Sequence, residues 1–501
     1  MDPIVRTHSG LVRGAILDGA SVFKGIPYAA PPFGACRLRP PQPVPPWSGA
    51  RDTLAFGPTP AHAPYPPPID TFLPELSTPG EDCLTLNLWS PALGSAHRPV
   101  VVWIPGGMFE YHGTSASPWY DGSRFARDGV VCVTINYRVG AEGFLDLGAG
   151  NANRGLLDQL AALEWVRDNI AVFGGDPDNV TIFGQSAGAM SVALLLAVPR
   201  ARGLFRRAIA QSGAADYTST RATAGRIARE FSAKLGVAPT REAIAALPIE
   251  RVIAGQVAMR ADLEAQPDPV RWGSEVSASM LPWQPVIDGE VLPAEPLERI
   301  AAGAGAGVDL LVGTNDDEQR LFLVSVGGIE EVPETIPAGI IAAYGLPVDA
   351  TRAAYRAAGR GSSAGDLLAA IQTDGYWRLP AIRLADAHAM RPGAARTFMY
   401  EFAWRSPQFG GQLGASHTLE IPFVFDTLGR GTEILWGPAP PQPLADTMHT
   451  AWVAFAARGE CPWPAYDPAR RATMRFDTTS GVVDDPRAAE RSLWAVSRTV
   501  S

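Results

Sequence analysis

The sequence has few cysteines, almost no lysine and no long apolar run. Its four cysteines are scattered, without the spacing of a metal site or of a disulfide framework. Lys24 and Lys234 are the only lysines, so arginine carries nearly all of the positive charge. No apolar run approaches the ~18 residues that a membrane span requires. These absences argue against a cysteine-bound metal, a disulfide-rich scaffold and a transmembrane helix.

Basic segments are also missing. The formal net charge is -9 and no unbroken basic run occurs, which argues against nucleic acid or an anionic membrane as a partner. The stretch from Met1 to His8 has neither the basic segment nor the apolar core of a signal peptide. We therefore expect a cytoplasmic protein without disulfides.

The chain does have enough apolar residues for a large core. It has 501 residues, of which 46% are hydrophobic and 19% charged, as in a globular protein. The 51 glycines and 46 prolines indicate long irregular connections, which often build binding sites in enzymes. Helical patterns predominate around residues 216–307 and 320–396. We expect one domain over residues 1–501, with these two stretches as largely helical insertions.

Strand and helix patterns alternate along much of the chain, which favours an α/β fold with a mostly parallel sheet covered by helices on both faces. Short antiparallel strands are expected between Ile4 and Gly25, and a proline-rich loop from Pro27 to Pro68. The apolar run Leu321 to Val326 is too short for its pattern to distinguish helix from strand. The longer predicted elements are strands at 83–89, 100–104, 130–137, 180–183, 205–210 and 309–313, a helix at 156–173, and a last strand at 397–404.

A nucleophile elbow is predicted at Ser186. A β-branched run ends at Phe183, Gly184-Gln185-Ser186-Ala187-Gly188 follows, and an apolar helical stretch comes next. This strand, turn and helix exposes the serine hydroxyl above a sheet, and the two glycines let strand and helix approach closely. A second G-x-S-x-G sequence occurs at Gly361 to Gly365, but no strand precedes it. We predict that it is a loop between helices and that Ser363 is not a nucleophile.

A serine nucleophile requires a base and an acid later in the chain. The predicted strand from Asp309 runs into a loop with three carboxylates, Asp316, Asp317 and Glu318, and the residues alone do not choose among them. Three histidines follow this loop. His388 and His449 lie in predicted helices, whereas His417 lies in a loop after the last predicted strand, so position favours His417 as the base.

Backbone donors for an oxyanion are expected at two places. One is the N–H of Ala187, directly after the nucleophile. The other is the turn Pro105-Gly106-Gly107-Met108 after the strand that ends at Ile104. An ordinary strand-to-loop turn would have the same composition, but its position two strands before the elbow favours the functional interpretation.

Taken together, these residues resemble the type-B carboxylesterases of the α/β-hydrolase fold, which include the bacterial para-nitrobenzyl esterases and the cholinesterases. The similarity extends over nearly the whole chain. The segments that carry it are Phe23 to Ala29, Gly80 to Asn87, Asn136 to Arg138, Phe173 to Gly188, Gln211 to Gly213 and Trp452 to Gly459.

The resemblance implies Ser186 as nucleophile, His417 as base and Glu318 as acid. Its Gly-Thr-Asn-x-x-Glu pattern ends on Glu318, which makes Asp316 and Asp317 solvated loop charges. It also implies an oxyanion hole formed by the N–H groups of Gly107, Met108 and Ala187. By the same analogy Arg37 and Glu81 form an ion pair, and Ser212 contacts Glu318.

Three positions depart from the family pattern. Met108 adds bulk beside the oxyanion hole, which narrows the expected substrate range. Gln185 stands where glutamate is common, so we expect a weaker preference for cationic alcohols. Secreted members of the family have a second cysteine that forms a disulfide with the one at position 83. This chain has no such cysteine near Thr59, which supports a protein whose cysteines are reduced.

We therefore predict a serine carboxylesterase that cleaves small-molecule esters through an acyl-enzyme, without metal or cofactor, as a monomer. The alternatives are a carbamate, amide or polyester-fragment hydrolase with the same three residues, and a non-catalytic binding homologue.

Overall fold

An eleven-stranded sheet organises the part of the chain that the computed structural model describes, namely residues 2–73, 76–148, 150, 152–390 and 395–496. In chain order the strands of the described residues are β1 (Ile4–Arg6), β2 (Leu11–Arg13), β3 (Ala15–Leu17), β4 (Ala20–Pro27), β5 (Ala50–Asp52), β6 (Thr85–Ser90), β7 (Arg98–Ile104), β8 (Val131–Ile135), β9 (Gly175–Gln185), β10 (Arg207–Gln211), β11 (Ser219–Thr220), β12 (Val286–Ile287), β13 (Asp309–Asn315), β14 (Thr397–Phe402), β15 (Ala472–Phe476) and β16 (Gly481–Asp484). Five of these strands lie outside the eleven-stranded sheet: β1, β2 and β5 form a three-stranded sheet, and β11 and β12 form a pair.

The helices are α1 (Ser123–Arg127), α2 (Gly140–Phe144), α3 (Arg154–Asn169), α4 (Ala187–Ala197), α5 (Arg221–Leu235), α6 (Arg241–Ala245), α7 (Ile249–Ala265), α8 (Pro269–Trp272), α9 (Ser274–Ser279), α10 (Pro296–Ala301), α11 (Arg320–Val324), α12 (Thr335–Ala343), α13 (Val348–Ala357), α14 (Ala364–Gln372), α15 (Leu379–Ala389), α16 (Ile421–Phe425), α17 (Glu433–Trp436), α18 (Gln442–Arg458) and α19 (Ala488–Val496). A π-helical segment at Thr373–Arg378 precedes α15, and short 3-10 turns occupy Gly34–Cys36, Ile69–Thr71, Pro118–Tyr120, Ile170–Phe173, Pro199–Ala201 and Phe409–Gly411.

The centre of the large sheet is parallel. Strands β8, β7, β9, β10, β13, β14 and β15 run in the same direction, and β6, β4, β3 and β16 continue the sheet antiparallel at its two ends. The strand order reverses beside β7, because β8 lies on one side of it and β9 on the other. In open α/β sheets the crevice at such a reversal, beyond the carboxyl ends of the strands, is where ligands bind. The fold class predicted from the sequence is confirmed.

Both faces of this sheet are buried, as the nearly continuous apolar strands require. In β7, Val100 and Val102 belong to the core that contains α3 and α4, whereas Val101 and Trp103 belong to the core that contains α18. Burying one such side chain fully stabilises the fold by roughly 1.5–3 kcal/mol relative to leaving it exposed. Removal of water from both faces therefore holds the parallel strands in place.

Most predicted elements are present, with shifted ends. The strand predicted at residues 397–404 is present as β14, but the prediction that it is the last strand is wrong, because β15 and β16 follow it and extend the sheet. The undecided run at Leu321 to Val326 is helical over Arg320–Val324. Helices predominate between β10 and β13 and between β13 and β14, apart from the two-residue pair β11 and β12. Among the described residues, no helix is both long enough and apolar enough to span a bilayer.

Candidate active site

Ser186 lies in the strained turn between β9 and α4. Its backbone has φ 58° and ψ -128°, a conformation that L residues rarely adopt, and its N–H donates to the Gln211 carbonyl at 3.0 Å. A Cβ on Gly184 would lie 2.6 Å from the Gly188 carbonyl carbon, and one on Gly188 would lie 2.0 Å from the Ile104 oxygen. The two glycines therefore permit the close strand–helix contact predicted from the sequence.

The second G-x-S-x-G sequence has a different role. Ser363 is the N-cap of α14, and its Oγ accepts the Asp366 N–H at 3.0 Å. The segment follows the end of α13 at Ala357, so it connects two helices as predicted.

Sheet register brings the glycine-rich turn beside Ser186. Ile104 at the end of β7 pairs with Gly184 of β9, and the chain then turns through Gly106 and Gly107 into the same cavity as the serine. Gly107 has φ 114° and Met108 has φ 56°, so the turn is left-handed at consecutive residues. Ala187 is the first residue of α4, and the N–H groups of a first helical turn have no acceptor within their own helix.

Glu318 and His417 form a direct contact. The imidazole Nδ1 of His417 lies 2.6 Å from Oε2 of Glu318, and both side chains are buried. The other carboxylate oxygen, Oε1, accepts the backbone N–H of Asn315 at 2.7 Å. Each carboxylate oxygen thus has a donor, which fixes the carboxylate and with it the plane of the imidazole. The Trp377 ring, 4.3 Å from the imidazole ring, packs against it.

Gln185 occupies the other side of the imidazole. Its Nε2 lies 3.0 Å from Nε2 of His417 and 3.3 Å from Nδ1. When Nδ1–H donates to Glu318, Nε2 has a free lone pair, and the carboxamide N–H donates to it. Ser186 and His417, which both belong to the described part of the chain, form no hydrogen bond with each other in this conformation. Gln185 thus holds the lone pair that a general base needs, a contact that the sequence did not reveal.

These groups share one cavity of about 190 Å³. Ser186, His417, Gln185 and Met108 line it, and so do the aromatic residues Trp119 and Tyr120. Phe109, which follows Met108 in the glycine-rich turn, is fully buried against Phe144 instead. The remaining wall is largely apolar, with residues such as Leu73, Leu321 and Ile421, and Glu264 is its acidic member. Such a wall suits an uncharged organic substrate.

Glu420 is a second buried glutamate, close enough to Glu318 for their charges to interact. Glu420 is fully buried and accepts hydrogen bonds from Asn315 Nδ2 at 2.7 Å and Gln211 Nε2 at 3.3 Å. Burial, and then the charge of Glu318, raise the pKa of Glu420 to about 7. Sequence reasoning missed this residue, although an isolated glutamate between apolar neighbours, Leu419 and Ile421, is a signal of a buried carboxyl group.

The other two candidate histidines lie away from this cavity. His388 on α15 contacts Thr397 Oγ1 at 2.7 Å and the Val308 carbonyl at 3.0 Å. His449 on α18 contacts the Val424 carbonyl at 2.7 Å. Burial is the main cause that lowers the pKa of both. These contacts make both histidines structural.

The expectation that Asp316 and Asp317 are solvated loop charges is wrong. Each is only 7% exposed. Asp316 pairs with Arg360 at 2.8 Å, Arg487 at 3.1 Å and Arg475 at 3.2 Å. Burial alone would raise the pKa of Asp316, but these guanidinium groups outweigh it and hold that pKa well below its usual value. An acidic run looks solvated in sequence because its distant basic partners are not apparent.

Two contacts expected from the family analogy are also absent. Arg37 pairs with Glu142 at 2.8 Å, not with Glu81, and it also donates to the carbonyls of Ala245 and Leu247. Ser212 is fully buried, and its Oγ has no hydrogen-bond partner among the described residues, so it forms no hydrogen bond with Glu318. Within the described ranges, no group of three or more His, Cys, Asp or Glu side chains could hold a metal ion, and all four cysteines are free.

Comparison with known proteins identifies the family of the chain. The sequence model of the carboxylesterase family matches residues 1–494. The chain is 37% identical over 502 residues to the para-nitrobenzyl esterase of Bacillus subtilis, covering 97% of each, and 35% identical over 492 residues to the phenmedipham hydrolase of Pseudarthrobacter oxydans, covering 93% and 94%.

Solved structures agree as well. A carboxylesterase of Geobacillus stearothermophilus superposes with a TM-score of 0.83 at 38% identity, covering 98% of this chain and 99% of that one. A structure titled as a thermophilic PNB esterase gives a TM-score of 0.84 at 35% identity, covering 99% and 100%. The chain therefore belongs to the carboxylesterase family, has the α/β-hydrolase fold and is a carboxylic ester hydrolase.

Proposed function

We propose that the chain hydrolyses esters with Ser186 as nucleophile, His417 as general base and acid, and Glu318 as the carboxylate that orients the imidazole. The observation that carries this proposal is the 2.6 Å contact from His417 Nδ1 to Glu318 Oε2, in the cavity that Ser186 also lines. This contact holds Nδ1–H toward Glu318, which leaves Nε2 as the acceptor for the serine proton.

The reaction proceeds by two acyl transfers. Ser186 Oγ attacks the ester carbonyl as its proton passes to His417 Nε2, and a tetrahedral oxyanion forms. The oxyanion breaks down as His417 donates the proton to the alcohol oxygen. The alcohol departs, and an acyl-serine remains. Water then attacks the acyl group with His417 again as base, releasing a carboxylic acid and the free serine. Glu318 stabilises the imidazolium that forms in each step.

The N–H groups of Gly107, Met108 and Ala187 are proposed to bind the oxyanion. Removing one donor of this kind typically costs about 3–4 kcal/mol of transition-state stabilisation. Support comes from the register that brings the turn of Gly107 beside the first residue of α4. Gln185 must release Nε2 of His417 before the serine proton can reach it, so substrate entry is expected to move the carboxamide.

The first experiment measures para-nitrophenyl acetate and butyrate turnover by the wild type and by Ser186→Ala. We expect turnover by the wild type and its loss in the variant. A fluorophosphonate probe should label Ser186, with Ser363→Ala as the matched control because that serine has the same sequence context. Labelling of Ser363, or unchanged turnover by Ser186→Ala, would overturn the nucleophile assignment.

The second experiment tests the acid. Glu318→Ala should lower kcat by about 10⁴-fold, because His417 loses the group that orients it. Asp317→Ala is the comparison, since Asp317 pairs with Arg405 at 2.7 Å and is not in contact with the imidazole. An Asp317 variant that is folded yet more impaired than the Glu318 variant would show that the acid is wrongly assigned.

A carbamate substrate is the second candidate. The relative from Pseudarthrobacter oxydans is named a phenmedipham hydrolase, and the same three residues can attack a carbamate carbonyl. Aryl N-phenylcarbamates assayed beside para-nitrophenyl butyrate distinguish the two, because a higher kcat/KM on the carbamate would make it the preferred class.

We further infer that the chain is a monomer and forms one domain with two helical insertions. We also infer a cytoplasmic location, which is consistent with its free cysteines.

A further inference from the structure

A buried ion pair joins the turn after β7 to helix α7. Glu110 is fully buried, and Arg260 of α7 is 6% exposed. Arg260 Nε donates to Glu110 Oε2 at 3.0 Å, and Nη2 makes a second, shorter contact with the same oxygen. Arg260 also donates to the Met280 carbonyl at 2.5 Å. One guanidinium group therefore connects the turn, α7 and the segment after α9.

Glu110 is part of the turn that carries the proposed oxyanion donors. The Gly107 carbonyl accepts the N–H groups of Glu110 at 3.0 Å and of Tyr111 at 2.7 Å. Between Gly107 and Glu110, Met108 has φ 56° and Phe109 has φ 58°. L residues rarely adopt this left-handed conformation, and two in succession persist only where surrounding contacts hold them.

Other contacts hold this turn through its carbonyl groups. Tyr137 Oη donates to the Pro105 carbonyl at 2.8 Å, and the Gly140 N–H donates to the Phe109 carbonyl at 2.6 Å. Both come from the segment that follows β8. Arg260 comes from α7, and it holds the turn through a side chain, that of Glu110, rather than through the backbone. Its contact is therefore one that substitution can remove without altering the sheet.

We propose that Arg260 is a positioning residue for the oxyanion hole: through Glu110 it holds the left-handed turn that directs the Gly107 and Met108 N–H groups into the cavity. This inference rests on the proposed function. Oxyanion donors act at short range, so a small displacement of the turn weakens transition-state binding more than ground-state binding. Loss of the clamp should therefore lower kcat while KM changes little.

The test replaces the pair. Arg260→Met alone leaves a buried carboxylate unpaired and can impair folding, so the double variant Glu110→Met/Arg260→Met is made as well, because replacing both charges with apolar side chains is often tolerated. For folded variants, we expect kcat on para-nitrophenyl acetate to fall about tenfold or more with KM within about twofold. The affinity for an aryl trifluoromethyl ketone, which forms the oxyanion adduct, should fall by the same factor. Arg260→Lys, which keeps the positive charge, should retain part of the wild-type kcat and ketone affinity.

The control is the pair Arg207–Asp309, which is largely buried and joins the first residues of β10 and β13, at the end of the sheet opposite the carboxyl ends of the strands. Arg207→Met/Asp309→Met should keep the wild-type kcat and ketone affinity. Wild-type kcat and ketone affinity in the folded Glu110/Arg260 double variant would overturn the proposal, as would an equal loss in the control pair. Failure of the proposed function is distinguishable, because it would appear as turnover by Ser186→Ala.

Discussion

At the scale of single residues, the neutral side chain at position 185 has the most direct effect on the proposed base. A carboxylate in place of the Gln185 amide, 3.0 Å from His417 Nε2, would stabilise the imidazolium beside Glu318. The protonated imidazole cannot accept the serine proton. Gln185→Glu should therefore move the acid limb of the kcat/KM profile to higher pH by about one unit or more.

The pH profile with para-nitrophenyl butyrate measures this effect. Gln185→Met is the matched control, because it keeps the side-chain length and adds no charge, so its acid limb should stay with that of the wild type. Coincident acid limbs for the Glu variant and the wild type would contradict the prediction. The same Glu variant should gain kcat/KM on esters of cationic alcohols relative to neutral ones, which tests the expectation drawn from the sequence.

Glu420 gives a pH dependence to stability. Its pKa rises from an ordinary value of 4.5 to about 7 in the folded protein, because of burial and of the charge of Glu318. A group that holds its proton more tightly when folded contributes its full stability below the unfolded value and loses it as the pH rises through the folded value. Stability should therefore decline between about pH 5 and about pH 8.

The glutamine variant tests that decline. Glu420→Gln stays neutral and can still accept a hydrogen bond from Asn315, so its Tm should vary less over this pH range than that of the wild type. Glu250→Gln, at an exposed position on α7, should leave the wild-type slope in place. Parallel Tm-against-pH curves for the wild type and Glu420→Gln would contradict the prediction.

At the scale of elements, the packing of β9 against α4 sets the position of Ser186, the proposed nucleophile. An added methyl group on Gly188 would lie 2.0 Å from the Ile104 carbonyl oxygen, which is backbone and cannot move aside. Gly188→Ala should therefore displace α4 from β7, with loss of nearly all para-nitrophenyl acetate turnover and a lower Tm.

A glycine in a helix with room around it provides the comparison. A Cβ on Gly225 of α5 would meet the Arg229 side chain at 3.5 Å, an ordinary contact. Gly225→Ala should keep full activity and gain roughly 0.5–1 kcal/mol of stability, because alanine favours the helix. An active, stable Gly188→Ala would show that the close contact is not required.

The sequence predicted strands and helices correctly where a local sequence pattern was enough to identify them. The apolar strands and the elbow at Ser186 have strong local patterns, and they are present. Strand β15 was missed although Ala-Thr-Met-Arg-Phe alternates apolar and polar residues, because the run is short and its partner, β14, lies far away in sequence. The contact of Gln185 with His417 likewise depends on tertiary structure, since it joins the end of β9 to a loop after β14. The acid was chosen by family resemblance, because three adjacent carboxylates carry no local signal that separates them.

At the scale of the whole molecule, a buried charge cluster fixes the C-terminal segment to the sheet. Arg487 pairs with Asp316 at 3.1 Å, lies 3.6 Å from Asp374 and makes a short contact with Glu401. These acidic residues belong to the loop after β13, to the π-helical segment and to β14. Without Arg487 each carboxylate loses one partner but keeps another arginine, Arg360 or Arg475 in the case of Asp316, so the cost is that of lost charged hydrogen bonds, typically about 1.5–3 kcal/mol.

Arg487→Met should therefore lower the free energy of unfolding by about 1.5–3 kcal/mol in urea or thermal unfolding. Arg470→Met is the control, because its partner Asp484 and Arg470 itself are both about half exposed, and such a pair contributes about 1 kcal/mol or less. Equal stability losses in the two variants would contradict a structural role for the cluster.

The order of strands on one side of the sheet has a consequence for how the protein is made. From β9 onward, β10, β13, β14, β15 and β16 are adjacent in the order in which a ribosome produces them. Each new strand therefore meets an edge that already exists, and synthesis from the N-terminus extends the sheet outward in one direction. Ser186 is in place early on this path, whereas His417 follows β14. A growing chain would thus hold the proposed nucleophile well before it gains the proposed base, and esterase activity would report that β14 and the loop after it have been added.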